Sequence, residues 1–272
     1  MQSHDVMSLA QANDIDEVAG RLRQSGVTVV TDVLSPSECE HYKSRLEEVL
    51  EERIRLDSYC GNEQSQVLDN YFLGNADLVQ LLYQEVTDKL MRHLIDDDYV
   101  LISPSARNRR CMPGREFGRP TSGVGWHTDT RFLQGGQGVR PSLSYMAILC
   151  VDEFSSENGA TDYIPASHLR YQRPPDRDAE LPHLTLEAPQ GAVIFLDTAL
   201  WHRVGEASEA SRWGVFNTFG PWFMKPYHRF DKMFDDEQFA KFDPIVRQLL
   251  HLDSIVPADH NERMATLRRV GL

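Results

Sequence analysis

Apolar positions follow three successive patterns along the 272-residue chain. In the first third they recur at helical spacing. Ile15, Val18, Ala19 and Leu22 share one face of a helix that Asp14 and Glu17 cap and Gly26 stops. Val27-Thr28-Val29-Val30 follows as a β-branched strand. Ser35, Pro36 and Glu38 then make a capping box with proline in the first turn, opening a helix whose apolar face is Cys39, Tyr42, Leu46, Val49 and Leu50. A third helix is predicted over 76–94 from Leu78, Val79, Leu82, Val86 and Leu90, and Asp96-Asp97-Asp98 after it reads as a solvated loop.

Between Tyr99 and Phe223 the period shortens. Runs at 99–103, 143–151, 161–164, 192–196 and 213–219 are short, β-rich and separated by Gly, Pro, Asn and Ser, the spacing of a sandwich or jelly roll. Past Pro226 the helical period returns, strongest over 234–250. The N-terminal helices are too few for a core of their own, so they are expected to pack outside one sheet of a single domain spanning 1–272. Its parts are helical at 1–98, β-rich at 99–223 and helical at 224–272.

Charge narrows the function. Asp and Glu number 41 against 28 Lys and Arg, a net −13, which opposes binding to nucleic acid or an anionic membrane. No apolar run approaches the ~18 residues of a spanning helix, and the polar, acidic N-terminus does not read as a signal peptide. Cys39, Cys60, Cys111 and Cys150 are scattered without CxxC spacing, which suits reduced thiols in a cytoplasm.

The chemistry centres on Trp126-His127-Thr128-Asp129. Residues i and i+2 at a strand project to one face, so His127 and Asp129 can reach one metal ion, and a second histidine would complete a two-His-one-carboxylate triad. Composition alone yields such pairs: His251/Asp253 and His260/Glu262 also occur. Both lie where the pattern is helical and their side chains diverge, so they read as exposed polar residues. Among His168, His183, His202 and His228, only His202 has an arginine ten residues on. A hairpin through 205–211 would bring that residue, Arg212, to the same barrel mouth, where its planar fork suits a carboxylate.

Taken in order, these features resemble the phytanoyl-CoA dioxygenase family of Fe(II)/2-oxoglutarate-dependent oxygenases. The resemblance covers most of the chain. It rests on Gly26-Val27-Thr28-Val29-Val30 with the capped helix after it, on Trp126-His127-Thr128-Asp129, on Glu157-Asn158-Gly159 through Pro165-Ala166-Ser167-His168, on Gly191-Ala192-Val193, and on Trp201-His202 with Arg212. One departure is Ala166, where the family often has Gly. The resemblance implies an α+β fold with a double-stranded β-helix (jelly-roll, cupin-like) core and flanking helices. It implies that His127, Asp129 and His202 bind Fe(II), that Arg212 holds the far carboxylate of 2-oxoglutarate, and that Thr161 helps bind this co-substrate. With O2, the implied reaction hydroxylates an unactivated C–H bond of a small organic molecule, a specialised-metabolite intermediate. Desaturation, epoxidation or cyclisation would use the same cofactors, whereas the carboxylate of Asp129 fills the position a halogenase leaves open for chloride. A jelly roll that binds a ligand without turnover is the alternative of another class.

The remaining features have plainer readings. His168 reads as a structural histidine, and Gly135-Gly136-Gln137-Gly138 as a flexible loop rather than a phosphate cradle. Arg107-Asn108-Arg109-Arg110 reads as an exposed strand end, with recognition of an anion as the second reading, and Trp201, Trp213, Trp222 and Phe223 read as core. The segments 114–125 and 130–140 flank the metal motif and are expected to form a lid that orders on substrate binding.

Overall fold

The computed structural model describes residues 6–8, 14–114, 125–129, 142–176, 178–252, 259–262 and 264. The chain begins with β1 (Val6–Ser8), α1 (Ile15–Ser25), β2 (Val27–Thr31) and α2 (Pro36–Arg55). Both predicted caps form. The Asp14 side chain accepts from Glu17 N–H, Gly26 closes α1 in the left-handed region at φ 86°, and Ser35 and Glu38 cap α2 reciprocally. Next come β3 (Cys60–Asn62), β4 (Ser65–Asp69), a 3-10 segment Ala76–Leu82, α3 (Glu85–Leu94) and β5 (Val100–Arg109). The remaining elements are β6 (Tyr145–Leu149), β7 (Asp162–Tyr163), β8 (Leu184–Thr185), β9 (Val193–Asp197), β10 (His202–Arg203), β11 (Arg212–Gly220), α4 (Asp236–Lys241) and α5 (Pro244–Leu249).

An eight-stranded sheet in the order β1-β2-β9-β6-β11-β5-β4-β3 faces a three-stranded sheet β10-β7-β8, which is the two-layer architecture of a jelly roll. The central strands are buried on both faces, which explains their unbroken apolar runs. Val193 and Phe195 of β9, Ala147 and Leu149 of β6 and Val215 of β11 face a cluster shared with Leu22 of α1, Leu46 of α2 and Leu90 of α3. Ile194, Leu196, Met146, Ile148 and Phe216 point the other way, into the space between the sheets. The N-terminal helices therefore lie against the outside of the large sheet, as their pattern predicts.

Four expectations are corrected. The helix read over 76–94 is two pieces, because Tyr83 and Gln84 are extended and the Leu81 carbonyl accepts from Asn217 Nδ2 of β11 at 2.7 Å instead of from a helical turn. The helix read over 234–250 is likewise two, since Pro244 brings no N–H and holds Asp243 extended. The β3–β4 hairpin went unread because β4 buries the polar Gln66 beside Leu68, and Gln66 bonds Asn108 rather than showing an apolar period. Trp201 and Trp213 are core, but Trp222 and Phe223 are 47% and 62% exposed on the turn after β11.

His251 is a fifth correction. It is half-buried, with Nε2 2.8 Å from the Leu101 carbonyl of β5 and its ring near Phe230, while His260 is exposed as read. Burial pulls the His251 pKa below its ordinary 6.5, against the smaller pull of the Leu101 hydrogen bond. The unfolded chain therefore takes up this proton first, and stability is lost as pH falls below 6.5 toward the folded-state pKa, with no further loss beneath it. His251→Gln should show a flatter decline in melting temperature than wild type between about pH 7 and pH 5, measured by circular dichroism.

Candidate active site

The segment carrying His127 is fastened to β10. His127 and His202 exchange two backbone hydrogen bonds of 3.0 Å, and Asp129 N–H donates to the Thr198 carbonyl at 2.9 Å. These bonds bring the side chains of His127, Asp129 and His202 together, with their ligand atoms all within 4.8 Å of one another. His202 Nε2 is 3.4 Å from Asp129 Oδ2, His127 Nε2 is 3.8 Å from Oδ1, and the two rings are 4.3 Å apart. Each ring is oriented in the same way. His127 Nδ1 lies 2.8 Å from the Gly125 carbonyl and His202 Nδ1 2.9 Å from that of Leu200, so Nδ1–H donates and Nε2 is left as the ligand atom.

Electrostatics fits a cation at this point. Burial would raise the Asp129 carboxyl, yet the charge and hydrogen bond of His202, then His127 and Arg107, hold it well below the usual carboxylate range. Burial would lower His202, yet Asp129 holds it above 6.5, whereas His127 is pushed down to about 4 by burial and by the neighbouring His202. An ionised carboxylate and two imidazole nitrogens on one side of a point, with space on the other, suit a ferrous ion.

That space is a cavity of about 610 Å3 lined by the three residues together with Thr161, Arg107, Arg109, Arg203 and Arg212. β10 and β11 lie in different sheets, so the hairpin expected between them is instead a crossing from one layer to the other. Arg212 nevertheless faces the same cavity as His202. Its Nη2 donates to the Gly159 carbonyl at 2.6 Å and its guanidinium lies 3.8 Å from the centroid of the Phe154 ring. Nε and Nη1 are buried with no hydrogen-bond partner among the described residues, which fits a missing carboxylate. Burial, and the charges of Arg109 and Arg107, pull the Arg212 pKa down from its usual range. Thr161 is buried beside β7 and lines the same cavity.

Gly159 is the hinge of this arrangement. It sits at φ 77°, and a Cβ there would meet Arg109 Cγ at 2.7 Å and the Gly205 carbonyl at 3.1 Å. Gly159→Ala should therefore destabilise the fold by about 1–3 kcal/mol in chemical denaturation. By moving the carbonyl that holds Arg212, it should also weaken 2-oxoglutarate binding in calorimetry.

Arg109 is not the exposed strand end that its sequence suggested. It is buried, and its register partner across the sheet is Arg212. Arg107 lines the cavity beside Asp129. The available signal was the period of β5, where Ser103, Ser105, Arg107 and Arg109 are polar at every second position, as on a strand facing a polar cavity. Arg203 also went unread. It pairs with Asp162 at 3.1 Å and lies over the Trp126 ring at 4.6 Å, bracing the residue before His127. His168 is a buried packing residue whose Nε2 is 3.0 Å from the Arg23 carbonyl. Ala166 stands at φ 58°, so this Gly-to-Ala departure is a strained left-handed position costing about 1 kcal/mol rather than a neutral change. Gly135–Gly138 and most of the two expected lid segments fall outside the described residues.

A second cavity of about 440 Å3 adjoins the first, sharing Asp129, Arg107, Met146 and Phe216 and opening toward Lys225 and Tyr227.

Comparison with known proteins agrees with this geometry. Residues 22–214 match the family described as phytanoyl-CoA dioxygenase (PhyH). The chain is 25% identical over 224 residues to dioxygenase trt7 of Aspergillus terreus, covering 78% of this chain and 75% of that one. It is 24% identical to dioxygenase af480 of Aspergillus fumigatus, covering 89% and 78%. In fold it is similar to HygX from Streptomyces hygroscopicus, solved with nickel and 2-oxoglutarate (TM-score 0.60, 14% identity, 77% and 88% covered). It is also similar to the epimerase SnoN, solved with Fe3+, alpha-ketoglutarate and nogalamycin RO (TM-score 0.61, 16% identity, 79% and 87% covered). The family match spans well over half of the sequence and includes all three residues of the His127, Asp129 and His202 cluster, so the chain belongs to the phytanoyl-CoA dioxygenase family of Fe(II)- and 2-oxoglutarate-dependent oxygenases.

Proposed function

We propose that the whole chain is one catalytic unit that hydroxylates an unactivated C–H bond of a small organic molecule, an intermediate of specialised metabolism. The observation that carries this reading is the convergence of His127, Asp129 and His202 in one cavity with the buried Arg212. His127, Asp129 and His202 would hold Fe(II), which when bound supplies the activation of O2 that couples decarboxylation of 2-oxoglutarate to oxidation of a substrate. The chain supplies the rest. The carbonyls of Gly125 and Leu200 fix the two imidazoles, so the ligand atoms are set before metal arrives. Arg212 offers the unpartnered N–H groups of Nε and Nη1, on two edges of its guanidinium, to the far carboxylate of 2-oxoglutarate, and Thr161 adds a hydroxyl to the same cavity. The two sheets flank these groups, and Arg212 and His202 are buried between them.

HygX has also been solved with hygromycin B bound, and the nogalamycin compound in SnoN is likewise a small organic molecule, which supports a substrate of that class here. The epimerase SnoN supports a second reading, in which the same cofactors act on a C–H bond without inserting oxygen. Four free cysteines suit a reducing cytoplasm, and among the described residues no helix is long and apolar enough to cross a membrane. The test is anaerobic addition of Fe(II) and 2-oxoglutarate, which should give a weak visible charge-transfer band. Air and candidate compounds should then release succinate with a +16 product. Absence of the band rejects an oxygenase, and succinate release with a product of unchanged mass selects the second reading.

A further inference from the structure

The outer cavity is lined by neither Arg212 nor Thr161, and its charge is inverted relative to the chain around it. At about 440 Å3 it falls within the range of small-molecule pockets. Arg107 and Lys225 bring two positive charges to its lining, and among the described residues the one carboxylate there is Asp129, already used in the metal-ligand cluster. The chain as a whole has 41 acidic and 28 basic side chains, so this balance is local. A protein cleft lined by one sign of charge concentrates its field and attracts the opposite sign.

Both cations are exposed side chains on backbone that is held in place. Arg107 Nε donates to Ser105 Oγ at 3.3 Å, and its guanidinium lies 4.8 Å from the centroid of the Phe216 ring, at the boundary between the two cavities. Lys225 lines the same cavity from a turn that is tied down. Met224 N–H donates to the Pro221 carbonyl at 2.9 Å, and Tyr227 N–H donates to Ile102 of β5 at 2.9 Å. A Cβ on Gly220 would meet Met224 Sδ at 2.7 Å, so the chain folds closely over the end of β11. Met146 and Phe216 give the cavity apolar lining.

We propose that the outer cavity binds the molecule to be oxidised and that this molecule is a small organic acid. Its carboxylate pairs with Lys225, and its hydrocarbon part lies along Met146 and Phe216 toward Asp129. Arg107 carries the positive field inward to the metal-ligand cluster. The inference rests on the function proposed above and adds the substrate class.

The test uses full-length protein loaded with Ni(II), the metal held by HygX, and saturated with 2-oxoglutarate. The probes are 3-phenylpropionate and cyclohexanecarboxylate, each beside its primary amide, titrated by calorimetry. Each acid is expected to bind about tenfold or more tightly than its amide, the difference a charge-assisted hydrogen bond makes. Lys225→Met should bring each pair to within about threefold, and Lys225→Arg should restore the preference. Acid and amide binding alike, no binding by either pair, or an unchanged preference in Lys225→Met overturns the proposal. Wild-type protein that takes up no 2-oxoglutarate rejects the proposed function itself, a separate result.

Discussion

Asp129→Ala is expected to abolish succinate release and to weaken metal binding by more than about a hundredfold, the upper end of what losing a mere supporting partner costs a metal site. The substitution takes away one of the three ligand atoms that converge within 4.8 Å. It removes the one that carries negative charge, leaving two imidazoles of which His127 resists protonation and His202 loses the partner that holds its pKa above 6.5. Folding should suffer little, because the backbone bond from Asp129 N–H to Thr198 does not involve the side chain. Metal titration followed by calorimetry, beside a melting curve of the metal-free protein, checks both halves. Retention of wild-type metal affinity would refute the ligand assignment.

Arg212→Lys should raise the dissociation constant for 2-oxoglutarate by roughly 10- to 100-fold, since a hydrogen bond to a charged group contributes about 1.5–3 kcal/mol and an ammonium cannot present two parallel donors. Activity at saturating 2-oxoglutarate should largely return. A companion variant separates binding from folding. In the ligand-free protein the guanidinium is buried with two nitrogens unsatisfied among the described residues. Arg212→Met should therefore melt no lower than wild type without ligand, while losing the rise in melting temperature that 2-oxoglutarate gives wild type. If Arg212→Lys leaves the affinity unchanged, another group holds the far carboxylate, and Arg109, its register partner, is the first to examine.

The readable features are those whose cause is local. The caps at Asp14 and Ser35 and the stop at Gly26 are short-range hydrogen bonds and backbone angles, and they stand where the sequence puts them. The buried runs of β6 and β9 are continuous because both faces are covered, so they too declare themselves in one dimension. Within the site, His127 and Asp129 are legible as a pair because two residues along an extended chain return to the same face.

Other features depend on what lies across the fold. Helix period ran through Tyr83 and Gln84, yet the amide of Asn217 takes the Leu81 carbonyl and the helix divides. Arg109 of β5 looks solvated in sequence because a polar side chain facing a cavity and one facing bulk water leave the same trace, whereas Arg107 is exposed as read. By itself, then, the sequence determined the helix caps, the buried strands of the core, the pairing of His127 with Asp129 along the chain and the family. The tertiary structure alone decided that His127 and His202 share a bridge, that Arg109 turns inward to face Arg212, and that a positive cavity opens beyond Asp129 in an acidic chain. Hydrophobic period records whether a position is wetted, whereas a site depends on which distant residues are wetted together.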